Sequence, residues 1–237
     1  MNIIECISNR KSRRSFTTTI VSEDKINLIK NKINEINKKS GLSFELIEDA
    51  SDCFDGMKSY GLFKNVRSLV VLKGKKDNRH LFENIGYYGE ELVLYLTHLL
   101  LGTCWVGGTY KPSDSWLSNE EETACVIVFG EVDDKLDLKE KSFRKLVHLK
   151  QKTISQLSTY DKPEKWFIEG MRAVQLAPSA LNRQPVHFTL KNNNVSAKVT
   201  SENKYSLIDL GIAKYHFEAA SKIKLDVGSI VIKKVSQ

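Results

Sequence analysis

The chain has 237 residues, 36 lysines and arginines against 29 aspartates and glutamates, and a formal net charge of +7. Hydrophobic residues make up 41% and charged residues 27%, a balance that excludes a disordered tail, a collagen and a disulfide miniprotein. A chain of this length forms one large domain or two halves and can bury most of its unfolded surface.

Cys6, Cys53, Cys104 and Cys125 show no CxxC or Cys/His ligand spacing, so no metal is expected. The opening MNIIECISNRKSRRSF has no apolar core before its first charges, so a cytoplasmic location with reduced thiols is expected. The longest apolar run, 92–101, is broken by Thr97 and His98 and is too short for a bilayer, so no membrane partner is expected. The excess positive charge lies on Lys/Asn-rich segments with few aromatics between them. That favours a solvated helix face over nucleic-acid binding and leaves room for a local phosphate site.

Asn2 followed by Glu5 predicts a helix start, with Ile3, Ile4 and Ile7 as its apolar face. A second helix is predicted after Ser22, with Ile26, Ile29, Ile33 and Ile36 on one side and Gly41 as its stop. Residues 42–48 and 67–72 read as strands. Residues 86–102 read as a core helix, apolar nearly all round from Leu92 and ending in Gly102. Residues 103–110 (TCWVGGTY) read as a loop, 124–132 as a buried strand, and 133–160 as a charged helix and connection.

Further on, 166–176 is predicted helical and stopped by Pro178. Residues 186–190 and 195–200 read as a hairpin about Asn192–Asn194. Residues 209–222 read as a helix with Leu210, Ala213, Phe217 and Ala220 on one face, and 225–235 as a closing strand. The chain echoes itself. Each half opens with a helix leading into a polar loop, and each later has a helix around a glycine, Gly89 in one and Gly211 in the other.

Three loops could carry chemistry. Arg10-Lys11-Ser12-Arg13-Arg14-Ser15-Phe16 packs guanidinium forks and hydroxyls together, as phosphate oxygens require, or it is a surface basic cluster. Ala177-Pro178-Ser179-Ala180-Leu181-Asn182-Arg183-Gln184-Pro185 offers a hydroxyl, two amides and a guanidinium between two prolines, suited to a heterocycle edge, or it is a plain turn. Gly102-Thr103-Cys104-Trp105-Val106-Gly107-Gly108-Thr109-Tyr110 lets a ligand approach the backbone, or it is a tight turn. Neither a P-loop nor a GxGxxG fingerprint is present.

Taken together, the basic loop, LGTCWVGG and APSALNRQPVHF resemble the FMN-dependent nitroreductase superfamily. The first fits an R-x-S-x-R-x-F start, and the last an APSxxNxQPWxF loop. The amide loop lies far down the chain and is followed by IDLGIAKYHFEAA, an order similar to the subgroup in which one chain mimics the usual homodimer. The resemblance implies an α+β, nitroreductase-like fold of two similar halves, 1–150 and 160–237, with a central, mostly antiparallel sheet flanked by helices and FMN between the halves. It implies a monomeric pseudo-dimer or a weak homodimer.

By the same resemblance, Arg10, Ser12 and Arg14 hold the phosphate and the polar flavin edge, with Lys11 at a variable position. Val106, Gly107 and Gly108 lie against the isoalloxazine. Pro178, Ser179 and Asn182 approach from the other half, and Gln184 matches the motif as a loop-shaping residue. Lys141 and Arg144 fall where a second phosphate contact is found, although a solvated helix face is the preferred reading. Val186 replaces the usual Trp. No catalytic side chain is implied, because hydride passes from NAD(P)H through flavin N5 to a nitro compound, quinone or similar electrophile. The alternative is a flavin carrier or sensor. His98 reads as a core histidine, His216 as a surface or satisfied helical one, and Cys104, Trp105 and Tyr110 as packing residues.

Overall fold

The structure is a computed structural model that describes residues 1–54, 62–116, 118–138, 140–142, 145, 151–162 and 164–225. It is α+β, and it divides into two compact units that interleave along the chain. One comprises Asn9–Leu81 and Leu92–Arg144 and carries a four-stranded sheet. The other comprises Met1–Ser8, Phe82–Glu91 and Lys145–Gln237 and carries a three-stranded sheet. No helix among the described residues is long and apolar enough to cross a membrane.

Helix α1 (Ile3–Asn9) begins as its capping pair predicts. Asn2 Oδ1 accepts from the Glu5 N–H at 3.0 Å, and Glu5 Oε2 accepts from the Asn2 N–H at 2.8 Å. Its buried face is Cys6 and Ile7, whereas Ile4 is exposed.

In the four-strand unit, α2 (Glu23–Ser40) starts at Ser22, whose side chain accepts from the Lys25 N–H. It stops at Gly41 in the left-handed region at φ 70°, where a residue without Cβ carries no steric cost. Ile26, Ile29, Ile33 and Ile36 are buried, as their spacing requires. Strands β1 (Glu45–Ile47), β2 (Ser68–Lys75), β3 (Gly102–Val106) and β4 (Glu121–Gly130) pair antiparallel in the order β1-β2-β4-β3. The register sets Leu69 and Cys104 against Val128, and Val71 and Val106 against Val126. Those six side chains share one face and pack with Phe16, Phe54, Val66 and Trp116.

Two expectations are corrected here. Residues 103–110 are not one loop. Gly102–Val106 forms β3, because Thr, Trp and Val suit a half-buried pleated surface, and only 107–110 bend away. Helix α3 (Leu81–His98) starts before residue 86 and ends before Gly102. The left-handed residue after it is Leu100, at φ 65°. Gly102 is small for another reason: a Cβ there would lie 2.3 Å from Val132 Cγ1 and 3.0 Å from Arg13 Cγ.

The three-strand unit contains α4 (Ile154–Leu157), β5 (Ser158–Tyr160), α5 (Lys165–Leu176), β6 (Val186–Lys191), β7 (Asn194–Val199) and α6 (Lys204–Ser221). Strand β5 runs parallel to β6, and β6 and β7 form the predicted hairpin. Asn192 and Asn193 turn it at φ 50° and 60°, the positive pair of a primed hairpin turn. Helix α6 begins earlier than residue 209 because the Asn203 side chain accepts from the Ser206 N–H at 3.0 Å. Phe167, Met171, Val174, Phe188, Leu210 and Phe217 form the core. The strand expected at 225–235 falls beyond the described residues, save for Leu225, which is buried.

Within this unit the first part of α3 crosses α6 at two glycines. A Cβ on Gly86 would stand 2.0 Å from Ile208 O, and one on Gly211 2.0 Å from Glu83 O. Each glycine meets the residue three before the other, which is the reciprocity of an isologous contact. Polar pairs flank the crossing. Glu83 and Lys214 form a buried ion pair, and Tyr87 Oη donates to Glu218 Oε2 at 2.6 Å. His216 is fully buried: Nδ1 donates to the Ala173 carbonyl at 3.0 Å, and Nε2 faces Glu90 Oε1 at 2.9 Å. It is the satisfied helical histidine of the sequence reading, in the interior. His98 is the reverse of its expectation: it ends α3, is exposed, and stacks on Tyr95 at 6.5 Å.

Candidate functional site

Two of the three loops meet in the four-strand unit. The basic segment runs extended alongside β3, with Ser12 bridged to Thr103 and the Arg13 N–H donating to Thr103 O at 2.8 Å. Its other edge pairs with Lys64, whose N–H donates to Arg14 O at 2.9 Å while the Phe16 N–H donates to Lys64 O at 3.0 Å. Strand β3 then leads directly into the exposed Gly107 and Gly108. Pairing on both edges fixes the segment, and extended backbone sends successive side chains to opposite sides. Arg10, Ser12 and Arg14 are half-buried, Lys11 is exposed, and Arg13 and Phe16 are buried.

The alternation separates cations that look alike in sequence. Arg13 is committed inward, its Nε 3.3 Å from Glu140 Oε1 and its Nη1 donating to Asp133 O at 2.9 Å. The same Glu140 oxygen accepts from the N–H groups of Arg14 at 2.6 Å and Ser15 at 3.1 Å. Asp137 and Glu140 cap the helical turn they begin. The Glu140 N–H donates to Asp137 Oδ1 at 2.7 Å, and the Asp137 N–H to Glu140 Oε2 at 3.2 Å. Ser15 Oγ donates to Asp137. Neither Arg13 nor Glu140 was singled out from sequence.

The charges converge on β3. Burial raises the Cys104 thiol above its ordinary range, while Arg14, Arg10 and a hydrogen bond with Ser12 pull the other way and Glu140 adds to the rise. Arg10, Ser12 and Arg14 thus all act on the one buried thiol of this strand. Cys104 is a buried packing residue there. The Val106 side chain is buried in the core, so only its backbone is on offer. Tyr110 packs with Phe54 and Trp116, and Trp105 is half-buried. Lys141 is exposed beside Glu140, and Arg144 lies outside the described residues.

The amide loop belongs to the three-strand unit and is held differently. Leu181, Asn182 and Gln184 all have positive φ, at 53°, 52° and 46°, and none is glycine. Such backbone costs of order 1–3 kcal/mol per residue and persists only where surroundings impose it. Gln184 imposes it. This buried residue accepts from the Lys152 N–H at 2.8 Å through Oε1 and donates to Gln175 O at 3.2 Å through Nε2; its own N–H donates to Ser179 Oγ at 2.9 Å. Asp209, buried on α6, accepts the Ala180 N–H on both oxygens, at 3.1 and 3.2 Å. Burial raises the Asp209 carboxyl to about 7, against the pull of the Ala180 N–H and Arg183.

A small cleft beneath the loop is lined by Pro178, Ser179, Gln184, Val186 and Asp209, among others. Val186 opens β6 and is buried in the core. Leu181 stands 65% exposed at the loop's tip. Asp209 and Leu181 were not picked out from sequence, although Asp209, Ala213 and His216 recur at helical spacing. Among the described residues no cluster of three or more His, Cys, Asp and Glu is placed to hold a metal ion.

The chain is similar in structure to a "putative nitroreductase" from Thermotoga maritima, at 24% identity and TM-score 0.64, covering 92% of this chain and 83% of that one. It is also similar to a nitroreductase family protein from Clostridium difficile, at 14% identity and TM-score 0.51, covering 69% of this chain and 100% of that one. At these identities the likeness is one of fold. No curated protein matches the chain. A family model described as "Putative TM nitroreductase" matches residues 2–221, and the chain belongs to that nitroreductase family.

Proposed function

We propose that the chain is an FMN-dependent oxidoreductase that uses NAD(P)H to reduce a nitro compound, a quinone or a similar electrophile. The observation that carries the reading is that the basic segment holding Arg10, Ser12 and Arg14 is paired alongside the strand that enters Gly107-Gly108. That donor set fits FMN: two guanidinium groups and a hydroxyl suit a phosphate dianion, and adjoining glycines leave backbone N–H groups approachable.

Arg10 and Arg14 neutralise the phosphate, and Ser12 adds a neutral donor. Gly107 and Gly108 offer backbone to the ring. On the amide loop, Pro178 gives an apolar surface and Asn182 an amide. The Ser179 hydroxyl already accepts from Gln184, so its own proton serves as a donor. Gln184 shapes the loop and binds nothing. When bound, the flavin supplies the hydride chemistry, and the protein supplies binding, orientation and electrostatics. The reciprocal crossing at Gly86 and Gly211 supports a single chain that does the work of a dimer.

The test is an anaerobic visible absorption spectrum of the purified protein, with FMN supplied if it is colourless, before and after NADH or NADPH. Flavin bands that bleach are the expected result and identify the donor. Bound flavin that stays oxidised moves the reading to a carrier or sensor. Failure to take up FMN in excess overturns it.

A further inference from the structure

Glu140 is a buried carboxylate beside a segment that the proposed function assigns to a phosphate. An anion next to an anion site is unfavourable unless its charge is already answered. Here it is. Glu140 Oε1 takes three donors, the Arg13 guanidinium and the N–H groups of Arg14 and Ser15, and Oε2 takes the Asp137 N–H. The two N–H groups are on the residue that would grip the phosphate and on its successor. The partners are 125 to 127 positions away in sequence, so the contact is a tertiary tie.

We infer that Glu140 is a positioning residue for phosphate recognition: by anchoring the Arg14 and Ser15 backbone and neutralising Arg13, it aims Arg14 and Ser12 at the phosphate of FMN. This rests on the flavin reading. Glu140 touches no ligand itself. Without it, Arg13 is a buried charge with its partner removed, the Arg14 and Ser15 N–H groups lose their acceptor, and the segment between β3 and Lys64 loosens.

The test compares FMN with riboflavin, which lacks the phosphate, on the full chain. Kd for each is measured by flavin fluorescence quenching in the wild type, Glu140→Gln and Glu140→Ala, with a thermal melt of each apo-protein as a folding check. Glu140→Gln keeps an acceptor for the two N–H groups and loses the charge facing Arg13, so its FMN affinity falls by a few fold. Glu140→Ala loses both, and FMN affinity falls about tenfold or more. Riboflavin affinity changes by less than about twofold in either variant. Equal losses for both flavins mean that Glu140 only supports the fold, and overturn the inference. Unchanged FMN affinity in folded Glu140→Ala overturns it too. If Glu140→Ala does not fold, the FMN-to-riboflavin ratio in Glu140→Gln decides. A wild type that binds neither flavin overturns the proposed function and this inference together, whereas a wild type that binds FMN with unaffected variants removes Glu140 alone.

Discussion

The basic segment and the amide loop present polar groups by opposite means. The basic segment is ordinary extended backbone, paired on both edges and balanced by one buried carboxylate. The amide loop bends through three left-handed non-glycine residues and is held by a buried amide and a buried acid. The first is a low-strain arrangement stabilised by charge. The second is a strained one, held by the hydrogen bonds of its neighbours. Losing a tie should therefore cost the amide loop mainly stability and the basic segment mainly affinity.

The sharpest way to break the contrast is Gln184→Ala. It removes two side-chain hydrogen bonds and leaves the Lys152 N–H without its acceptor, so unfolding free energy should fall by about 2–4 kcal/mol. Urea denaturation reads this, and an unchanged midpoint would show that the loop is held by something else. Next is Arg10→Ala, which should weaken FMN binding about 10- to 100-fold while the apo-protein melts as before. Unchanged flavin occupancy would remove Arg10 from the site.

The Asp209 comparison depends on pH, and over any single pH unit it is smaller. Its carboxyl is raised in the fold to about 7, above the value of about 4 in an unfolded chain. Between those values the folded state keeps a proton that the unfolded state has lost. Stability should therefore fall as pH rises from about 4 to 7, by up to about 1.4 kcal/mol per pH unit, and level off above. Asp209→Asn can still accept the Ala180 N–H and should flatten that slope. An identical pH profile in the variant would show that Asp209 does not titrate this way. The smallest effect has the opposite sign. Leu181→Gly should add roughly 1 kcal/mol by relieving left-handed strain at an exposed position. A destabilised variant would mean that the leucine packs in solution.

Sequence made the local features plain. Helix α2 with Ser22 and Gly41, the capping pair Asn2 and Glu5, and the Asn192–Asn193 turn depend on residues a few positions apart, and the structure has them where the spacing puts them. The family resemblance carried the α+β fold. What stayed hidden depends on distant partners. Strand β3 read as a loop because its pairing with β4 is not a local property of TCWVGG. Arg13 looked no different from Arg10 and Arg14 until sheet pairing gave the segment an inside and an outside. Leu181 carries no mark in sequence of its left-handed backbone, since the cause lies in Lys152, Gln175 and Asp209.

The interleaving of the two units has a consequence for how the protein is made. The chain leaves one unit and enters the other in the middle of α3, between Glu91 and Leu92. The Gly86–Gly211 crossing then joins residues more than a hundred positions apart. On a ribosome, α3 emerges long before α6, so its first half must wait with its partner face uncovered. Closing that long loop is slow, and the waiting surface is one that chaperones recognise. Side chains at Gly86 or Gly211 should thus reveal themselves first in the yield of newly made protein.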